Sequence, residues 1–438
     1  MDPVVSLAAF LTGFFPPLSV AAAYVSFFLF LAAAATAQAR GKENFTFSRT
    51  RFDVPALLFL AVWALSSAFG MDPAKSFGKF GGQIRFSFFF LLVWAGGGRH
   101  RPAALKGYLW GAGIAAAYGL LQTLVSALGL PGKFPSLFVD ASVAYNRFTL
   151  VGGRAHGSVH PLTYAEIVLP FFLLGTAYFL EAKDHRSLRK GLVWLLTAEG
   201  ALLLSQSRGP WIGAGIGLGV LMFHPKRLRL IPPILLVGLS LMLHPVSRHK
   251  ALTLLRDVKQ ISSAEPAQRA NFDEVTDDST SHRLVLWNNS FQVARRNVWL
   301  GVGPGCLKEA VDLHRGDKGF MPNPRGKDGD AHSQYLHHLA ERGIPGLAAI
   351  LFFMAVPIVA AFRSLRRPAD EGFPARWACW GLLAFFIAFP VINVTERVFD
   401  TVEPAMIFFL LASILPAMKI NPPGGFDRPE RSGGVGSS

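Results

Sequence analysis

Apolar runs of roughly bilayer-crossing length recur along this chain, nine before residue 245 and three after residue 343, and they constrain everything else. Their number and length predict an all-α polytopic membrane protein of about twelve transmembrane helices. The runs lie near 4–15, 17–37, 53–69, 80–97, 103–128, 159–180, 188–205, 209–223, 228–244, 344–362, 375–392 and 402–418. Pro16-Pro17 separates the first two, and one broken span there would make eleven. Composition points the same way: 51% of residues are hydrophobic and only 16% charged, where soluble domains carry roughly a quarter.

Val246 to Arg342 is the one large hydrophilic interruption. The expected organisation is therefore a membrane domain over 1–245, a loop domain over 246–342, a second membrane segment over 343–419 and a disordered tail over 420–438. Lys and Arg number 43 against 28 Asp and Glu, a net charge of +15. In a soluble chain that excess suggests nucleic acid; here most of it sits in short connections, where it sets topology. Alternate connections are rich in cations, among them Arg40, Lys42 and Arg49, then Lys183, Arg186, Arg189 and Lys190, then Lys226, Arg227 and Arg229. These are expected to face the cytoplasm. The long loop, the 127–158 connection and the tight turn at Ser207-Arg208 then face the opposite side, the periplasm of a Gram-negative cell. The start M-D-P-V-V lacks a basic n-region, so no cleaved signal peptide is expected. Two cysteines, Cys306 and Cys379, give no disulfide framework or thiolate metal site.

Within the loop, Lys250 to Ile261 has the pattern of an amphipathic surface helix, and Glu265 to Thr280 is acidic and polar. His282 to Arg296 reads as a helix capped by Ser281 or Thr280. A further helix restarts at Ala331 with Asp330 as its cap and breaks at Gly343-Ile344-Pro345-Gly346.

Arg208, in L-L-S-Q-S-R-G-P-W-I-G, sits between two apolar runs with almost no connecting loop. Such an arginine either snorkels to lipid headgroups or faces an anion. The helix after it, read as starting with Pro210, points its positive end the same way. Arg154, His156 and His160 lie in a second Gly-rich approach to a helix start on the same face, and Arg283 lies in the loop above. Arginines at two helix starts, plus a third, form a pattern suited to a pyrophosphate, which guanidinium binds in bidentate fashion. His332, beside the membrane, suits acceptance of a hydroxyl proton or positioning of the acceptor; Glu341, Asp330 and Glu166 are competing bases. His332, His337 and His338 lack the i, i+4 spacing of a helical zinc site, so no metal is expected. Tyr335 completes the candidate substrate contacts. No G-x-x-x-x-G-K-[ST] stretch for ATP is present, and ATP and sugar nucleotides are cytoplasmic, so a donor used on this face must arrive activated and lipid-carried.

S-Q-S-R-G-P-W-I-G (Ser205 to Gly213), R-L-V-L-W (Arg283 to Trp287), G-V-G-P-G (Gly301 to Gly305) and A-H-S-Q-Y-L-H-H-L-A-E-R-G-I-P-G-L (Ala331 to Leu347) together resemble the O-antigen ligase and polymerase superfamily. Their order, and the large loop before the last three spans, resemble it too. The resemblance implies a C-type glycosyltransferase of the bacterial inner membrane, acting at the periplasmic face on undecaprenyl-diphosphate-linked glycans without metal or other cofactor. Matched by position, Arg208 and Arg283 hold the donor diphosphate, Arg154 less firmly, and His332 serves the acceptor hydroxyl. The family often has Asn after this histidine; this chain has Ser333.

Among activities so implied, a ligase moving the glycan to lipid A–core oligosaccharide comes first. An O-antigen polymerase or a protein O-oligosaccharyltransferase is the alternative. A transporter or flippase of lipid-linked glycan is more remote, because its cations would have to be reachable from both sides. The expected partners are the lipid-linked donor, the lipid A–core acceptor and membrane lipids, with no nucleic acid.

Overall fold

The computed structural model describes residues 2–43, 49–81, 100–128, 150, 154–243, 248–249, 252, 278–321, 329–366 and 375–418. Nearly all of the expected span at 80–97 and of the expected surface helix at 250–261, residues 265–277 and the 420–438 tail lie outside them.

The described residues form α-helices joined by turns and short 3₁₀ segments, with no strand among them. In order these are α1 (Pro3–Phe14), α2 (Val20–Ala39), α3 (Asp53–Ala68), α4 (Pro73–Gly78), α5 (Arg101–Ala127), α6 (Pro161–Glu181) and α7 (His185–Ser205). There follow α8 (Arg208–Leu221), α9 (Ile231–Leu243), α10 (Asp278–Arg296), α11 (Leu307–Leu313), α12 (Gln334–Leu365), α13 (Arg376–Ile392) and α14 (Val402–Ile414). Four of them, α2, α5, α6 and α12, are long and apolar enough to cross a membrane, and α1, α3, α13 and α14 are shorter apolar helices. Large apolar side chains stand exposed on the outer helices, including Phe28, Leu57, Trp110, Val193 and Leu235. Such a surface suits lipid, and the chain is a multi-pass membrane protein.

Pro16-Pro17 does not interrupt a single span. The chain reverses there, and α1 packs side by side with α2, where the Thr12 hydroxyl donates to the Ser26 carbonyl at 3.2 Å. On its other face α1 meets α5 at Gly107 and Gly111; a Cβ on Gly107 would sit 2.0 Å from the Phe10 carbonyl oxygen. Small residues four apart let two backbones touch, a close approach that helices in lipid use in place of hydrophobic drive.

The centre is α6, buried along nearly its whole length against α7, α8 and α13, with α14 buried beside it. Helices apolar all round belong inside a bundle. A smaller cluster, including Val293, Val302, Cys306, Leu307 and Ala331, packs α10 and α11 on the first turns of α12.

Three helix starts differ from expectation. Helix α10 begins at Asp278, so Thr280 and Ser281 lie inside it. Ser333, not Asp330, caps α12, accepting from the Leu336 N–H. Helix α8 begins at Arg208 after Ser207, which puts Pro210 at its third position. The break at Gly343 is where the sequence places it. Its φ of +64° and ψ of −165° suit only glycine, and a Cβ would lie 2.3 Å from the Trp299 carbonyl oxygen. Gly301, at φ +67°, abuts the Glu341–Arg342 peptide, and the Ile344 N–H donates to the Val298 carbonyl. The G-V-G-P-G turn and the α12 kink thus interlock, fixing the loop segment to the helix that carries His332 at its head.

Candidate active site

The turn between α13 and α14 is tied down by Asn393, whose side chain donates to the Phe389 carbonyl and accepts from the Phe399 N–H. The head of α12 docks on this turn, since the Gln334 N–H is shared between the carbonyls of Asn393 (2.9 Å) and Glu396 (3.2 Å). His332, two residues upstream, is thereby brought beside the Glu396 side chain. Glu396 is only 4% exposed and lies at the meeting point of four segments.

Arg283, on α10, forms an ion pair through Nη2 with Glu396 Oε1. His332 Nδ1 stands 3.7 Å from Glu396 Oε2. Arg154 is close enough to feel the charges of both Glu396 and Arg283. Its guanidinium donates to the Ser205 carbonyl (2.7 Å) and the Ser207 hydroxyl (2.7 Å), clamping the turn from which α8 departs. Arg208 is the first residue of α8, and a Cβ on the adjoining Gly209 would lie 3.8 Å from Glu396 Cγ. Arg154, Arg283 and the N-terminus of α8, which Arg208 begins, therefore converge around one carboxylate. Burial lowers the Arg154 pKa, with Glu396 opposing and Arg283 adding to the effect; an arginine remains charged regardless.

His332 adopts a left-handed backbone, φ +44°, uncommon for a residue with a Cβ. Its N–H donates to Asp330 Oδ1 at 2.8 Å, which helps hold this conformation. Asp330 in turn is 3.4 Å from Arg397 Nη1, and Arg397 is bound by Asp400 at 2.9 Å. Burial pushes the Asp330 carboxyl up, but Arg397, His337 and His332 outweigh that and hold it below its usual range. For His332 the neighbouring Glu396 carboxylate raises the imidazole pKa more than burial lowers it, and Asp330 adds to the rise. A separation of 3.7 Å is an ion-pair distance rather than a hydrogen bond, so the effect is chiefly electrostatic.

Other candidates sit elsewhere or do different work. His160 caps α6, its ring accepting from the Leu162 N–H, and it feels Arg154 and Glu396. Burial and then Arg154 lower its pKa, so it favours the neutral form. His156 is fully buried and held by Gln122, whose side chain also takes the Gly157 N–H. The Tyr335 hydroxyl donates to the Pro390 carbonyl at 2.6 Å, joining α12 to α13. Both residues, expected as substrate contacts, are built into the helix packing. Of the competing bases, Glu341 accepts from the Gly305 N–H and pairs with His337 (3.1 Å) and Arg342, while Glu166 is buried within α6. His337 turns to Glu341 and His338 lies between Gln334 and Arg342, so the two adjacent imidazoles serve different partners.

Glu396 and Asp400 escaped the sequence reading, which singled out only Arg397 of this turn, as one of the few cations on its face. The signal was present: T-E-R-V-F-D, Thr395 to Asp400, sets three charges in a short connection between two apolar runs, on the face carrying few charges.

Residues 191–351 match the family described as O-antigen ligase. The match spans Arg208, Arg283 and His332 and leaves Arg154 and Glu396 outside it. An uncharacterized protein of Haemophilus influenzae is similar to this chain, 23% identical over 203 residues, which are 44% of this chain. The chain spans about half of that relative, 49% of its length. The match over residues 191–351, together with the helical architecture of the described residues, supports a likeness to the O-antigen ligase superfamily in that part of the chain.

Proposed function

We propose that this protein is a metal-independent, inverting glycosyltransferase that moves a glycan from undecaprenyl diphosphate to lipid A–core oligosaccharide at the periplasmic face of the inner membrane. The observation that carries the reading is the convergence of Arg154, Arg283 and the helix N-terminus that Arg208 begins, beside a histidine–glutamate pair. A hydroxyl oxygen of the acceptor attacks the anomeric carbon of the donor sugar. The new C–O bond forms as the bond to the diphosphate breaks, and the hydroxyl proton passes to His332. Negative charge then grows on the departing diphosphate, where Arg208, Arg283 and the first N–H groups of α8 neutralise it. Arg154 holds the Ser205 to Ser207 turn that aims this helix end.

Glu396 has two parts in this scheme. It keeps Arg283 and His332 in one place, and it favours the imidazolium formed as the proton arrives. A single displacement inverts the anomeric centre. The long loop after the ninth expected span favours a ligase over a polymerase; the chemistry is common to both.

Purified protein supplied with undecaprenyl-diphosphate-linked glycan and lipid A–core tests the proposal. Transfer should occur in EDTA and be lost in Arg208→Ala. Activity abolished by EDTA and restored by a divalent cation would refute the metal-free scheme. Growth of polymer on the lipid-linked donor, with none on lipid A–core, would assign the polymerase instead.

A further inference from the structure

At the opposite end of the bundle lies a cavity of about 1030 Å³ between α5 and α7, closed at its back by Phe171 of α6. One end is lined by Arg186, Arg189 and Lys190 from the first turns of α7. The rest is apolar, with Trp110 from α5 and Trp194 from α7 on its walls. Phe171 and Trp194 stack at 5.1 Å, and Trp194 Nε1 donates to the Phe171 carbonyl, so this wall is rigid. Helices α5 and α7 run parallel here, since Trp110 and Ala117 line the same cavity as Arg186 and Thr197 and Gly200 meets Leu120.

We propose that this groove is a binding site for one anionic phospholipid of the cytoplasmic leaflet, its phosphate on Arg186, Arg189 and Lys190 and an acyl chain along Trp110 and Trp194. Charge complementarity selects the occupant. Three cations line the mouth; Asp184 caps α7 and feels the charge of Arg186 among them, and Glu181 pairs with His224 and Lys226. Among the described residues none of the three cations makes an ion pair. Dimensions agree as well. From Arg186 to Thr197 a helix rises about 17 Å, close to the roughly 15 Å of one leaflet's hydrocarbon. Cations that merely set topology need no cavity beneath them, whereas a lipid chain needs both features in this order. The inference depends on α7 crossing a membrane and not on the transfer reaction.

Acyl-brominated phosphatidylglycerol is the probe, added to the detergent-purified full-length protein while tryptophan fluorescence is followed. It should quench a saturable fraction that disappears in Trp110→Phe/Trp194→Phe. Acyl-brominated phosphatidylethanolamine should need about tenfold more lipid or greater. Arg186→Gln/Arg189→Gln/Lys190→Gln should remove that preference. Because neutralising these cations can disturb insertion, Ala117→Phe is the second variant: it keeps every charge, fills the groove and should abolish the saturable component. Equal quenching by both lipids, or no effect of Ala117→Phe, would overturn the proposal. Displacement by inorganic phosphate at the concentration of the lipid would show a free-phosphate site and overturn it too.

Discussion

Arg283 and Glu396 give the sharpest test, because removing both should restore the stability lost with one while leaving catalysis impaired. Glu396 is 5% exposed at its side chain and Arg283 is 29% exposed. Deleting one partner of a fully buried ion pair costs about 3–5 kcal/mol, because the other charge is stranded. The guanidinium here keeps some water and Glu396 retains His332 and Arg154 nearby, so Arg283→Ala should cost roughly 1–3 kcal/mol. Replacing the carboxylate as well, in Arg283→Ala/Glu396→Gln, should return most of that loss. Transfer should not return. If Arg283 neutralises the leaving diphosphate, losing it removes about 2–4 kcal/mol of transition-state stabilisation, roughly a 30- to 1,000-fold fall in rate. Both variants are then slow while one is nearly as stable as the parent. Thermal unfolding in detergent and single-turnover transfer to lipid A–core supply the two readouts. An active double variant would refute the reasoning, since Arg283 would then serve only to satisfy Glu396.

His332→Ala should lower turnover by about 10²–10⁴-fold if the imidazole takes the acceptor proton. A base must be neutral, so the parent's rate should fall as pH drops through a pKa held above the ordinary histidine value. Glu396→Gln should move that acid limb to lower pH, and an unmoved limb would separate His332 from Glu396. The same shift makes an opposite contribution to stability: Glu396 favours folded, protonated His332, an effect fully present below the histidine's unfolded pKa of about 6.5 and lost as pH rises through the raised value. Gly343→Ala should destabilise by about 1–3 kcal/mol or prevent folding, from strain at φ +64° and the approach to Trp299. Gly215→Ala, in open space on α8, should be tolerated, and similar detergent melting temperatures for the two would count against the interlock. Reporter fusions at Arg186 and Arg227 should read cytoplasmic and one at Asp317 periplasmic; a cytoplasmic Asp317 would put the proposed site on the wrong face.

Hydropathy alone determined that the chain is helical and multi-pass, because a bilayer-length apolar run must satisfy its backbone within its own helix. Local chemistry determined the break at Gly343 and drew attention to Arg208, Arg283 and His332, which lie inside the segment that matches the O-antigen ligase family. Cap positions were less legible, since Asp330 and Ser333 are both good caps and the choice fell to the docking of α12 on the Asn393 to Glu396 turn. Only the tertiary structure decided that Glu396 is the carboxylate shared by the cations. It reaches Arg283 across 113 residues of chain and His332 from the far side of α12 and α13, and no periodicity or spacing encodes such a meeting. Tertiary structure also decided that His156 and Tyr335 have partners inside the bundle, the Gln122 amide and the Pro390 carbonyl. Apolar patterning acts over one or two turns and is written locally, whereas the pairing of buried charges depends on which helices the bundle brings together.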